Sequence, residues 1–172
     1  MIKELNIFRE NINMTNKSNF NILLSMLLFL FSTIVNAGAN VSFSESFVKS
    51  NTGNTFTLDV LMSDFPVTEG GGLVLNFDPA LLQVTSVSVD SGVWEFVNND
   101  GEIDNAGGVV SSILFSSYRG VAGDAKIATI EFQATQKGKG NITLDESLDN
   151  PFASNGQNIN VTFTPAKVLI RR

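Results

Sequence analysis

The sequence predicts an all-β fold, a sandwich or barrel of eight or nine short strands, and three observations carry that prediction. From Asn40 onward apolar residues alternate with polar ones at a period of two. Turn-forming residues interrupt the alternation at short, regular intervals. No stretch keeps a 3.6-residue apolar period, so helix is minimal apart from an N-terminal signal segment. With 172 residues, 43% of them hydrophobic, the chain is long enough to bury a real core.

Taken in order, the chain begins with a leader. Ile22 to Val35 reads ILLSMLLFLFSTIV, without a charge and too short to span a bilayer comfortably. Lys17 precedes it, and Ala37-Gly38-Ala39 and Val35-Asn36-Ala37 follow as small-residue cleavage patterns. Residues 1–39 therefore read as a secretory signal peptide cleaved after Ala37 or Ala39, with Met14 an alternative start that gives a compact, singly positive leader. The expected location is secreted or periplasmic, with membrane contact only through this segment if it stays uncleaved. Its removal takes Lys3, Arg9 and Lys17 but only Glu4 and Glu10, so the exported domain is the more acidic part.

The strands follow as alternating runs: Val41 and Phe43; Phe56, Leu58, Val60 and Met62; Leu73, Leu75 and Phe77; Val84, Val87 and Val89. Ile113 and Phe115, then Ile130, Phe132 and Ala134, then Ile142 and Leu144, and finally Ile159, Val161 and Phe163 continue the series. Turns are expected at Asn51–Asn54, Ser63–Pro66, Asp90–Gly92, Asn99–Gly101, Gly107-Gly108, Ala122–Asp124, Lys137–Gly140 and Asn155-Gly156. Between strands, Pro79 to Leu82 after Asp78 makes at most one helical turn. The domain is expected over residues 40–165, with 166–172 a short C-terminal tail.

Composition removes whole classes of chemistry. There is no Cys and no His, so disulfides, thiol nucleophiles, thiolate zinc sites and imidazole bases are excluded. A net charge of −6 argues against nucleic acid, which needs a concentrated basic patch. No acid/base pair of carboxylates stands in a motif implying a shared sugar cleft, and the Gly70-Gly71-Gly72 and Gly138-x-Gly140 glycines open no helix after a strand. They read as loop glycines. No catalytic residue is assigned and the chain is expected not to be an enzyme.

Four segments stand in a familiar order: Gly53-Asn54-Thr55-Phe56-Thr57-Leu58-Asp59-Val60, Gly72-Leu73-Val74-Leu75-Asn76-Phe77-Asp78-Pro79-Ala80-Leu81-Leu82-Gln83-Val84, Ile127-Ala128-Thr129-Ile130-Glu131-Phe132-Gln133-Ala134 and Gly140-Asn141-Ile142-Thr143-Leu144. From about Val41 to Phe163 the chain resembles cohesin domains, most specifically in the aromatic-Asp-Pro-x-Leu-Leu corner at Phe77–Leu82. The resemblance implies a nine-stranded jelly-roll β-sandwich related to cellulose-binding modules. It also implies a non-catalytic module that holds dockerins on polysaccharide-degrading enzymes. Cellulosomal members carry an Asn and an Asp that contact the dockerin on the strand before this corner; this chain has Gly70 and Gly72 there.

Candidate site residues are few. Asp100, Glu102 and Asp104, at i, i+2 and i+4 with Asn98, Asn99 and Asn105, open like a calcium loop, but Asn105 and Ser111 stand where Gly and Glu are wanted. A solvated hairpin around Asp100-Gly101 is the stronger reading, and Ca2+ is at most a weak cofactor; Asp145, Glu146 and Asp149 form a second such loop. For binding, Val74 and Asn76 take the outward register opposite Leu73, Leu75 and Phe77. Trp94 reads as a cap over the core edge or, in the alternative, a platform for sugar rings; Tyr118 and Arg119 read as an exposed contact. The expected partner is a dockerin-like or other secreted protein, or a polysaccharide, and a structural or adhesive role stands beside these.

Overall fold

The computed structural model describes residues 38–172; of the leader expected over residues 1–39, only Gly38 and Ala39 fall among the described residues. Twelve strands and no helix follow: β1 (Asn40–Phe43), β2 (Phe47–Asn51), β3 (Thr55–Asn76), β4 (Leu82–Val89), β5 (Phe96–Asn99), β6 (Glu102–Asp104), β7 (Val109–Ala134), β8 (Gly138–Glu146), β9 (Ala153–Ser154), β10 (Gln157–Asn158), β11 (Thr162–Thr164) and β12 (Ala166–Arg171).

The all-β class holds, but the partition into nine strands does not. Two expected turns, Ser63–Pro66 and Ala122–Asp124, and the expected loop glycines Gly70–Gly72 lie inside the long strands β3 and β7. These two pair with each other along most of their length, with register shifts between Val60 and Leu61 and again from Met62 to Gly70. Asp64 at φ 58° and Gly123 at φ 73° bend the ribbon there. A bulge re-aims a strand without ending its ladder, so turn-type residues read as breaks where the backbone only changes direction.

That bend builds the sandwich. The first part of β3 pairs with β1 and with the second part of β7, which in turn carries β4. The last residues of β3 pair with the first part of β7 and with β8, while β5 and β6 pair with β7 on its far side. One layer is thus β11–β1–β3–β7–β4, the other β5/β6–β7–β3–β8–β12–β2. Two parallel pairings, β1 with β11 and β2 with β12, join the two ends of the domain, one in each layer.

The C-terminal tail is a correction. Residues 166–171 form β12, paired with both β2 and β8, with Val168 2% and Ile170 0% exposed. The run A-K-V-L-I-R alternates as cleanly as any strand, but Pro165 before it reads as an end. Pro165 only begins a new strand after β11.

The core between the layers is apolar and aromatic. Phe132 stacks on Phe56 at 5.3 Å, and Phe152 meets Phe65 at 5.3 Å and Phe115 at 5.7 Å. Among the described residues no buried side-chain N or O lacks a partner. At the Asp78-Pro79 corner the amides of Leu81 and Leu82 both donate to the Asp78 carbonyl at 3.0 Å, and Ala80 N donates to Asp78 Oδ1 at 2.9 Å. The carboxylate caps a single turn, and Leu82 starts β4 at once.

Candidate functional site

The outer face of the second layer collects most of the sequence-predicted binding residues. Leu73, Leu75 and Phe77 are buried, so Val74 and Asn76 between them face outward, each half-buried. On β7 the buried Ile113 and Phe115 set the register that turns Leu114, Ser116 and Tyr118 outward. Pairing sets Phe96 against Ser116 on one side and Gly72 against Leu114 on the other. Asp145 on β8 pairs with Val74, and its Oδ2 accepts a hydrogen bond from Asn76 Nδ2 at 2.9 Å.

Trp94 does not belong to this surface. It is 0% exposed, its ring lies 4.4 Å from Phe115, and its Nε1 donates to the Lys126 carbonyl at 3.2 Å. Being buried and hydrogen-bonded, it caps the core edge and cannot stack on a sugar; the platform reading is corrected. The exposed aromatics at this corner are Phe96 at 56% and Tyr118 at 91%. They line one depression of about 340 Å3 with Glu69, Ser116 and Ser117. Phe96 shares its parity with Trp94, and only the bend at Glu95 between them separates an inward ring from an outward one.

Glu95 organises this corner. Its Oε2 accepts from Tyr118 N at 2.9 Å and its Oε1 lies 3.5 Å from Arg119 Nε. Arg119 stays 88% exposed, so the ion pair orients the side chain and adds little stability.

Gly70 and Gly72 have a physical reason. A Cβ on Gly72 would lie 2.7 Å from Leu114 Cδ2 and 2.8 Å from Ser147 Cβ, and one on Gly70 would lie 2.6 Å from the Phe115 carbonyl oxygen. The segment after β8 folds over this part of β3: Ser147 N donates to the Gly72 carbonyl at 2.9 Å, and Ala153 of β9 pairs with Gly70. Phe152, on the same segment, is 0% exposed and its ring sits against Gly71. The space that side chains at Gly70 and Gly72 would take is thus filled by the chain itself. Leu148, 96% exposed at the crest of this segment, and Asn150 and Pro151 beside it form a new border to the face.

The calcium reading finds no support in the geometry. Among the described residues no three Asp or Glu side chains come together as a group able to hold a metal. Asp100 Oδ1 accepts from Val89 N at 2.7 Å, Asp104 Oδ1 from Ala106 N and Gly107 N, Asn99 Oδ1 from Gly101 N. These three oxygens cap their own turns or tie the hairpin to β4. In the second acidic loop, Asp145 is held by Asn76 and Glu146 Oε1 accepts from Phe152 N at 2.8 Å.

Comparison with known proteins places this geometry. The family described as the cohesin domain matches residues 40–170. Among solved structures, the third cohesin of ScaC from Acetivibrio cellulolyticus, in complex with the ScaB dockerin, is 20% identical with a TM-score of 0.61 over 77% of this chain and 98% of that one. A non-cellulosomal cohesin from the hyperthermophilic archaeon Archaeoglobus fulgidus is 16% identical with a TM-score of 0.63, over 79% and 93%. The cohesin of the Coh-OlpC–Doc435 complex from Clostridium thermocellum is 16% identical with a TM-score of 0.61, over 78% and 95%. No curated protein matches the chain in sequence.

Proposed function

Because the chain belongs to the cohesin domain family, we propose that it is an exported, non-catalytic binding module that holds a dockerin-type protein on the outer face of β5, β7, β3 and β8. The observation that carries this reading is the character of that face. It mixes apolar and neutral polar side chains, Val74, Leu114, Asn76 and Ser116, with Asp145 bonded to Asn76, and exposed apolar residues, Phe96, Tyr118 and Leu148, stand at its margins. Such residues supply the anchors of a protein interface, while charged residues are few at its centre. With Gly70 and Gly72 covered, the anchors on this chain are the marginal apolar groups.

Titration calorimetry against a panel of dockerin modules tests this. Binding is expected to one or more of them and to weaken at least about tenfold in Leu148→Asp combined with Phe96→Asp, changes to exposed side chains that leave the fold intact. A double variant that binds as the parent does, or a panel with no binder, overturns it.

One observation favours a second reading, direct contact with polysaccharide: Phe96 and Tyr118 share one depression and leave their rings open to solvent. Retention on insoluble cellulose that disappears in Phe96→Ala and Tyr118→Ala supports this reading; no retention by the parent protein removes it.

A further inference from the structure

Among the described residues, unpaired positive charge is gathered on the β8–β12–β2 side of the second layer. Of the eight basic residues after position 38, Arg119 and Lys126 are paired with carboxylates. The other six, Lys49, Lys137, Lys139, Lys167, Arg171 and Arg172, lie on or beside β2, β8 and β12, and among the described residues none has a carboxylate within salt-bridge distance.

The register puts most of them on one face. Leu169 of β12 sits between Lys49 of β2 and Lys139 of β8, and Lys167 sits between Phe47 and Asn141. Val168 and Ile170 are buried, so Lys167, Leu169 and Arg171 point outward together with those neighbours. Strands about 4.8 Å apart, with like-facing residues about 7 Å apart along each, make this a two-dimensional cationic array. The nearest acidic positions along the chain are at its border: Glu45, two residues before β2 begins at Phe47, and Asp145 of β8, already bonded to Asn76. Like charges this close repel, which an opposite charge bound across them would relieve.

The array is not bare charge. A groove of about 370 Å3 crosses it, lined by Phe47, Lys139, Asn141, Lys167 and Leu169 among others. Phe47 is 46% exposed, and the Lys49 ammonium lies 5.4 Å from its ring centroid. Ammonium groups, a side-chain amide and an open aromatic edge are the donors and apolar surface that a carboxylated sugar requires. The four cations that the register turns outward, Lys49, Lys139, Lys167 and Arg171, are few for a nucleic acid, whose binding is dominated by neutralising many phosphates.

We propose that this face, at the far end of the layer from Phe96 and Tyr118, binds an acidic polysaccharide whose sugars carry carboxylates. The array holds the carboxylates and the Phe47–Asn141 groove seats one sugar ring. The array shares β8 with the proposed dockerin face and extends from it across β12 and β2.

Affinity electrophoresis of the full chain through gels containing polygalacturonic acid tests the proposal, with methyl-esterified pectin, double-stranded DNA and phosphatidylglycerol vesicles as parallel probes. The expected result is retardation by polygalacturonic acid that fades as salt rises and is absent with the esterified polymer. Lys139→Gln with Lys167→Gln should weaken it about tenfold, and Phe47→Ala should weaken it at unchanged charge. Arg119→Gln, which removes a positive charge elsewhere, should leave it unaltered. Equal retardation by the esterified polymer, a loss that Arg119→Gln reproduces, or binding to DNA or vesicles without binding to polygalacturonic acid overturns it.

Discussion

At Gly72 one methyl group decides what the face can present. Its Cβ would lie 2.7 Å from Leu114 Cδ2, the tip of a side chain that can turn away, and 2.8 Å from Ser147 Cβ, which cannot yield without moving the segment after β8. Gly72→Asn, which restores a larger polar side chain, is therefore expected to destabilise by about 1–3 kcal/mol, the ordinary cost of overpacking. Urea denaturation midpoints check this, and an unchanged midpoint would mean that the segment yields freely. Trp94 has the opposite problem, since removing its ring leaves a cavity against Phe115. Trp94→Ala should cost about 3–5 kcal/mol. The parent protein's single tryptophan should resist acrylamide quenching.

Among the elements, β12 carries more than its six residues suggest, because it joins β2 to β8. A chain ending at Pro165 loses both ladders and the buried Val168 and Ile170, and should show no cooperative thermal transition. A normal melting curve from that truncation would place the stability elsewhere. The β5–β6 hairpin is tied to β4 by the Asp100 carboxylate and by Asn105, which both accepts from Val84 N and donates to the Val84 carbonyl. These groups are occupied by backbone, so calorimetric titration with millimolar Ca2+ should give no heat at this hairpin; a heat abolished by Asp104→Asn would contradict the assignment.

For the whole molecule, the stabilising term is apolar packing between two layers, with three ion pairs, all partly exposed, adding little among the described residues. The domain's two ends meet through parallel pairs, so the starting residue matters. Ala39 is 6% exposed and its carbonyl accepts from Thr162 N at 2.9 Å, whereas Gly38 has nothing within 4 Å of its Cβ position. If the chain is exported, cleavage after Ala37 keeps that bond and cleavage after Ala39 destroys it. Mass spectrometry of the exported protein should find Gly38 as its first residue; a chain beginning at Asn40 would refute this.

Period-two alternation and turn residues were enough for the all-β class, and Asp78-Pro79 for a strand that stops and turns, because both are local properties of the backbone and its nearest side chains. The outward register of Val74 and Asn76 was legible for the same reason. What the tertiary structure decided were matters of long-range contact. The burial of Trp94 beside the exposure of Phe96, the folding of Ser147 over Gly72, and the passage of β3 and β7 through both layers each depend on residues distant in sequence. So does the cationic face, since Lys49 stands more than a hundred residues from Lys167 and only the parallel pairing of β2 with β12 makes them neighbours. Alternation fixes which side of a strand a residue takes, but pairing fixes what stands beside it.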